Sequence, residues 1–470
     1  MKKFFAAFFL ISLFCAALFA DYNRYGIPDS SEIRRSLRET WFEAPLEAVR
    51  MNKPEVKANL IGQKFQVRLE ETEDYFSILV APFATIDVEV FSDKGRRKVR
   101  QEVYPGDAPG SWILVRDKKT GKPIKIVYYF ASDSDVFVQF SPTSDVSSPS
   151  VGDFVIYNCY AAKGVLTGLP FERYYTASFA EVSKWTEKML PWEYTRIYRD
   201  AYHASLQMIN VIRERLPEIS YEEDACYDEE YKPVYITTGK PRPINDSDRE
   251  RITVSGAGFL KWIADGIVEP LNGAVLKRSP LVHETVNYKP TGFQGIMSEN
   301  YDISFALDWI RNLATAVVSV RSRRNYRFFN SGVDVRIEPF CSEFTDEGIK
   351  NLAGFIPNSG YSCRYLKALL YVLAATESET FYFAAIREVD RTRNPEVKVF
   401  NNCAVFFPYF DSNGNFQVTI FKDGAEISFD DFYARYSRDF VYLTRCACTE
   451  SFYPFSFAPE PAVTVSEDEL

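Results

Sequence analysis

Two histidines, His203 and His283, supply all the imidazole in this chain of 470 residues, so any general base or metal site built on histidine must use one of them. His203 lies in a stretch with helical spacing. At about 100° per residue it faces away from the apolar stripe, beside Arg196, Gln207 and Asn210. His283, in Pro280-Leu-Val-His-Glu-Thr, belongs to a loop or extended edge where Glu284 points to the opposite face. Both read as solvated residues. The thiols are more numerous: Cys15 near the start, then Cys159, Cys226, Cys341, Cys363, Cys403, Cys446 and Cys448. Cys446 and Cys448 form C-x-C, not the C-x-x-C knuckle of structural zinc, and neither a metal nor a cofactor is expected. Cys226 is flanked by six carboxylates between Glu222 and Glu230, which favour the neutral thiol. It reads as a poor nucleophile, solvated or disulfide-bonded. Asp411, Asn413 and Asn415 alternate as calcium ligands do, but Gly414 comes too early for a binding loop, and Asn413-Gly414 is a hairpin signature.

The segment Thr253-Val-Ser-Gly-Ala-Gly-Phe-Leu-Lys-Trp-Ile-Ala-Asp265 puts small residues at the opening of an amphipathic helix. Such residues let another backbone or a ligand approach closely. Gly256 and Gly258 make GxG, yet Lys261 stands where a dinucleotide loop needs its third glycine. Ser255 lacks the glycine two positions earlier that a nucleophile elbow requires, and a serine triad would oblige His283 to act as base. What these small residues admit, another backbone or a ligand, stays open on the residues alone.

Ser255-Gly-Ala-Gly-Phe-Leu260 resembles the helix opening of the papain-like cell-wall peptidases of the NlpC class, where a pattern like Asp-Cys-Ser-Gly-Phe-Val carries the nucleophile. In that family a histidine begins a later strand, in a pattern like His-Val-Gly-Ile-Tyr, and Asn402-Cys-Ala-Val-Phe406 is similar to it. The resemblance runs from about Tyr194 to Arg445 and implies a papain-like α+β fold. It puts Gly256, followed by Ala257, at the nucleophile's position and Asn402 at the histidine's. Neither can supply a thiolate or a general base. The resemblance thus implies a degenerate site, a pseudoenzyme, with Cys403 the nearest alternative thiol and His203 or His283 the alternative bases, and with Ser255, Gly256, Gly258, Trp262 and Asn402 lining a ligand cleft.

These residues need elements to carry them. From Lys57 to Phe140 the hydrophobic period is two, with turn residues at about ten-residue intervals, which predicts an antiparallel β-sandwich over 57–140. The Ser/Pro-rich stretch 141–150 reads as a linker. Beyond it the period turns to 3.6: helices are predicted over Glu193–Leu216, Ala257–Val268, Ile303–Val320 and Tyr365–Ala374. Strands follow over Thr380–Val389, Cys403–Phe407 and Gln417–Phe421. The expected organisation is multidomain: a signal peptide 1–20, an N-terminal extension 21–56, the sandwich, the linker, an α+β domain 151–450, and an acidic disordered tail 451–470.

Met-Lys-Lys followed by an apolar run from Phe4 to Phe19 reads as a secretory signal cleaved after Ala20, with a lipoprotein modified at Cys15 as the alternative. Bacterial export to the periplasm or beyond is the expected localisation, and no transmembrane segment is expected after cleavage. The chain carries 64 acidic against 55 basic residues, a net charge of −9, which argues against a nucleic-acid partner. The function expected is that of an exported cell-envelope protein that binds peptidoglycan, a peptide or an envelope protein without catalysis. The alternative is an active cysteine hydrolase of peptide or cell-wall amide bonds.

Overall fold

The computed structural model describes residues 26–92, 95–197, 200–243, 251–286, 303–345, 348–350, 353–392, 394 and 396–457. The expected signal peptide and the last thirteen residues of the expected tail lie outside them. The chain divides into two compact units. The first comprises Met1–Arg199 with Pro339–Asn351 and Phe410–Phe416; the second comprises Asp200–Glu338, Leu352–Tyr409 and Gln417–Leu470.

The first unit is built on one eight-stranded sheet of antiparallel neighbours: β1 (Glu55–Ala58), β2 (Lys64–Glu71), β3 (Tyr75–Pro82), β6 (Trp112–Asp117), β7 (Pro123–Tyr129), β8 (Val136–Pro142), β9 (Pro149–Ile156) and β10 (Cys159–Pro170). A separate ribbon, β4 (Ala84–Ser92) with β5 (Gly95–Val103), is inserted between β3 and β6. Alternate residues face inward, as in Trp112, Leu114 and Arg116 or Val136, Val138 and Phe140. What covers that face is not a second sheet. Short helices do so, α1 (Ser31–Leu37), α2 (Leu46–Met51) and α3 (Phe179–Trp185), together with the turns around them. Phe42 meets Trp112 at 4.8 Å and Tyr174 stacks on Phe140 at 4.1 Å. The expected sandwich is thus a helix-covered meander. The alternation reported half-burial correctly but is silent about what does the burying.

Two boundaries change with it. The residues read as an N-terminal extension supply α1, α2, β1 and the buried Arg34, whose guanidinium is held by Asp29 at 3.1 Å and by the Ala177 carbonyl at 2.5 Å. The predicted linker is a hairpin: Ser141 pairs with Val151 and Pro142 with Ser150. Its polar residues close the turn, since Asp145 accepts the N–H groups of Ser147 at 3.0 Å and Ser148 at 2.9 Å. Ser and Asp that bond their own backbone mark turns as strongly as they mark linkers. The first unit accordingly continues to Arg199. It takes with it the start of the predicted Glu193–Leu216 helix, because Trp192 packs against Phe179 at 5.3 Å. The helix proper, α4, runs from His203 to Arg215. A small hairpin, β15 (Glu343–Thr345) with β16 (Gly348–Lys350), also belongs to this unit.

The second unit is α+β. Its sheet has the order β17 (Tyr361–Ser362), β22 (Phe440–Ala447), β18 (Thr380–Asp390), β19 (Val397–Phe410), β20 (Phe416–Lys422), β21 (Ala425–Ile427). The strands read as continuous apolar runs because both faces are covered. Phe381, Phe383, Val405 and Phe407 share one core with α5 (Gly256–Asn272) and α6 (Phe305–Ser322), while Phe406 packs on Phe432 of α8 (Phe429–Tyr436) at 5.1 Å. The apolar α7 (Leu366–Thr376) is buried along most of its length. A parallel pair, β11 (Ile219–Tyr221) with β14 (Ile252–Val254), leads into α5, and the hairpin β12 (Ala225–Tyr227) with β13 (Pro233–Tyr235) packs on its first turns. Helix α5 is therefore buried all round from Gly256 to Val268, not on one face. The expected disordered tail is overturned at its start: Phe452 is buried, Tyr453 donates its N–H to Gly266 at 2.9 Å, and the Trp262 indole donates to Phe455 at 2.8 Å.

Candidate functional site

Strand β14 delivers the chain to Ser255, which caps α5. Its hydroxyl accepts the N–H of Gly258 at 3.1 Å and donates to the Ala225 carbonyl at 3.1 Å. The hydroxyl's proton and one lone pair are thus engaged in the cap. Gly258 lies where no side chain fits, because a Cβ would collide with the Ala225 carbonyl oxygen and stand 3.2 Å from the Cys226 Cβ. It faces the hairpin, and with Trp262 it borders a small cavity of about 20 Å³ beside Phe455.

A larger cleft of about 570 Å³ opens at the start of α5. Ser255, Gly256 and Ala257 form one side, Asn401, Asn402 and Cys403 of β19 another, and Asp423 of the β20–β21 turn closes toward the helix. Glu223, Asp224 and Thr237 come from the loops around β12 and β13, with the rings of Tyr221 and Phe305. Of the residues singled out from the sequence, Ser255, Gly256, Ala257, Asn402 and Cys403 border this cleft, whereas Gly258 and Trp262 line the smaller cavity instead. Those two sit on other sides of the same helix, whose full burial hides the difference.

The register of β19 alters the roles across the cleft. Cys403 pairs with Ala385 and belongs to the core shared with α5, whereas Asn402 pairs with Ile386 beside a bulge at Asn401. Successive residues of a strand face opposite ways. It is therefore Cys403, not Asn402, that occupies the inward position of the strand opposite Gly256. The Asn402 amide donates to Glu388 and accepts from Lys422 at 3.4 Å, though Asn402 still borders the cleft. Lys422, with a side chain only 6% exposed, is ion-paired with Asp423. Burial, reinforced by the Asp423 charge, pushes the Cys403 thiol up to about 12. It is a neutral thiol at working pH.

Asp423 is the residue that sequence reasoning missed. A Cβ on Gly256 would stand 2.5 Å from its Oδ1, so a carboxylate occupies the space into which a nucleophile's side chain would project. Asp423 has φ +53°, which Asp tolerates better than most residues, and Gly424 follows at +75°. The Asp-Gly pair signals a turn, but nothing local says where the turn points.

The alternative catalytic residues do not converge here. His203 opens α4 with Nδ1 3.3 Å from Glu450 and a side chain 75% exposed. His283 borders a separate depression of about 600 Å³ with Thr285, Asn312 and Phe328. No histidine lines the α5 cleft among the described residues. Cys226, expected solvated or bridged, is fully buried and free, and burial pushes its thiol to about 12. Its acidic sequence neighbours are turned elsewhere: Glu222 pairs with Arg242, and Asp224 accepts from the backbone of Thr237 at 2.9 Å. Cys159, Cys341, Cys363, Cys446 and Cys448 are free thiols as well.

Among the described residues no group of three or more histidine, cysteine or carboxylate side chains is arranged to hold a metal, and no helix is long and apolar enough to cross a membrane. No curated protein and no solved structure matches the chain. Residues 23–194 match a family described as a domain of unknown function (DUF8515). The match falls within the first unit and includes none of the cleft residues.

Proposed function

We propose that this is an exported cell-envelope protein whose second unit is a papain-like domain without its catalytic pair, binding a peptide, a glycan or a partner protein in the cleft at the start of α5. The observation that carries this reading is the Asp423 carboxylate in the space beside Gly256. A helix followed by an antiparallel sheet, with the helix opening toward a strand, supports the papain-like part. Export rests on the apolar run after Lys2 and Lys3. An active cysteine hydrolase would need a thiolate and a base in one place. Cys403 is a neutral buried thiol, and the cleft lining supplies no imidazole.

The test is to rebuild the nucleophile. In Gly256→Cys combined with Asp423→Gly, a thiol at the N-terminus of a long helix should be alkylated by iodoacetamide with an apparent pKa below the ordinary value of about 8.5. The double variant's circular dichroism and melting transition report whether it has folded. A folded variant whose new thiol titrates at or above that ordinary value would remove the support for a nucleophile seat at 256.

A further inference from the structure

We infer that the α5 cleft takes a neutral, hydroxyl-rich glycan rather than a peptide, an inference that rests on the binding reading above. The lining is rich in acceptors and poor in cations. Glu223, Asp224 and Asp423 bring three carboxylates and Asn401 and Asn402 two amides, and among the described residues no lysine or arginine lines the cleft. Lys422, a buried cation adjacent in sequence to Asp423, is already ion-paired with it.

Several of these groups have fixed partners. Asp224 holds the Thr237 backbone and hydroxyl, Asp423 holds Lys422, and the Asn402 amide donates to Glu388. Among the described residues Glu223 has no such partner, and it is exposed in the cleft. A carboxylate is acceptor-only, so its complement is a ligand offering donors. A peptide carboxylate or a phosphate would meet acceptors and negative charge with no cation to offset them. A sugar offers hydroxyl donors without charge, and adjacent hydroxyls suit the two oxygens of a carboxylate or the paired donor and acceptor of an amide.

The apolar part of the lining fits the same ligand. Tyr221 is 57% exposed, and Phe305, half-buried, lines the same cleft. An aromatic face left bare beside planar polar groups can pack on the apolar C–H face of a pyranose. The volume, about 570 Å³, lies within the roughly 300–1,000 Å³ of small-ligand sites.

Isothermal titration of the full mature chain with three probes tests this: a neutral N-acetylglucosamine oligomer, an amine-bearing stem tripeptide, and a peptide ending in D-Ala-D-Ala. The oligosaccharide should bind, with an affinity nearly unchanged between about 50 and about 500 mM salt because no net charge is neutralised. Tyr221→Ala and Glu223→Gln, at exposed positions that leave the fold intact, should each weaken it by about tenfold. Binding of either peptide without the oligosaccharide, lost in the same two variants, would overturn the glycan assignment and leave the binding cleft standing. No binding of any probe would overturn both.

Discussion

Replacing Gly258 with alanine tests the packing that sets the cleft, and two effects of opposite sign compete in it. In an ordinary helix the change stabilises by about 1 kcal/mol, because glycine is the poorer helix former. Here the new methyl would collide with the Ala225 carbonyl oxygen and press on the Cys226 Cβ at 3.2 Å. Both belong to backbone-paired β12, so neither can rotate aside. The same carbonyl accepts from the Ser255 N–H at 2.8 Å and from its hydroxyl at 3.1 Å. Moving it therefore disturbs the α5 cap as well. Overpacking costs about 1–3 kcal/mol and a lost cap about 1 kcal/mol, which outweighs the propensity gain and leaves a net loss of roughly 1–3 kcal/mol. Gly256→Ala is the control, since its methyl meets chiefly the Asp423 side chain. Urea unfolding of the two variants, read on the transition of the second unit, should show Gly258→Ala clearly less stable than Gly256→Ala. A neutral or stabilising Gly258→Ala would refute the close approach of β12 to α5.

Three further outcomes follow from the charges and thiols. Lys261 and Asp265 form a buried pair, Nζ to Oδ2 2.6 Å, so Lys261→Met should destabilise by about 3–5 kcal/mol by leaving a buried charge unpaired. Adding Asp265→Asn, which keeps an oxygen for the Leu276 N–H, should recover much of that in denaturant melts. Glu71 is held down to about 2 by hydrogen bonds from Arg50 and then Lys118. A depressed carboxylate contributes stability above its unfolded value of about 4.3 and loses it as pH falls toward the folded one, so the carboxyl shift of Glu71 in NMR titration should have its midpoint near 2, and Arg50→Ala should move it upward. Mass spectrometry after brief alkylation of the native chain should find Cys341, the exposed thiol among the described residues, modified before the buried ones, and Cys403 untouched until the second unit unfolds.

How far the sequence speaks depends on whether a signal is local. Four helices of the second unit, α4 to α7, were legible from periodicity, though α4 begins only at His203 and α8 was not foreseen; so was the Asn413-Gly414 hairpin, where Asp411 accepts the N–H groups of Asn413 and Asn415. The convergence of Gly256 with the Asn402–Cys403 strand was legible through the resemblance in element order. What failed was long-range. Alternation in Phe65–Phe140 cannot distinguish a covering sheet from covering helices. Ser141–Ser150 has the composition of a linker because hairpin turns use the same residues. Which of Asn402 and Cys403 faces α5 turns on a one-residue bulge, and a slip of one flips every side chain. Asp423 reaches Gly256 only through the fold, so no spacing in the sequence marks it.

The central claim is that this cleft binds without cleaving. It is tested most directly by titrating the protein with soluble cell-wall glycan fragments and recording the ligand's mass before and after saturation. Saturable binding, abolished when Gly256→Trp fills the cleft in a chain that still folds, with the ligand's mass unchanged, is the predicted result. Fragments that gain water and split, in a reaction lost with Cys403→Ser, would contradict it.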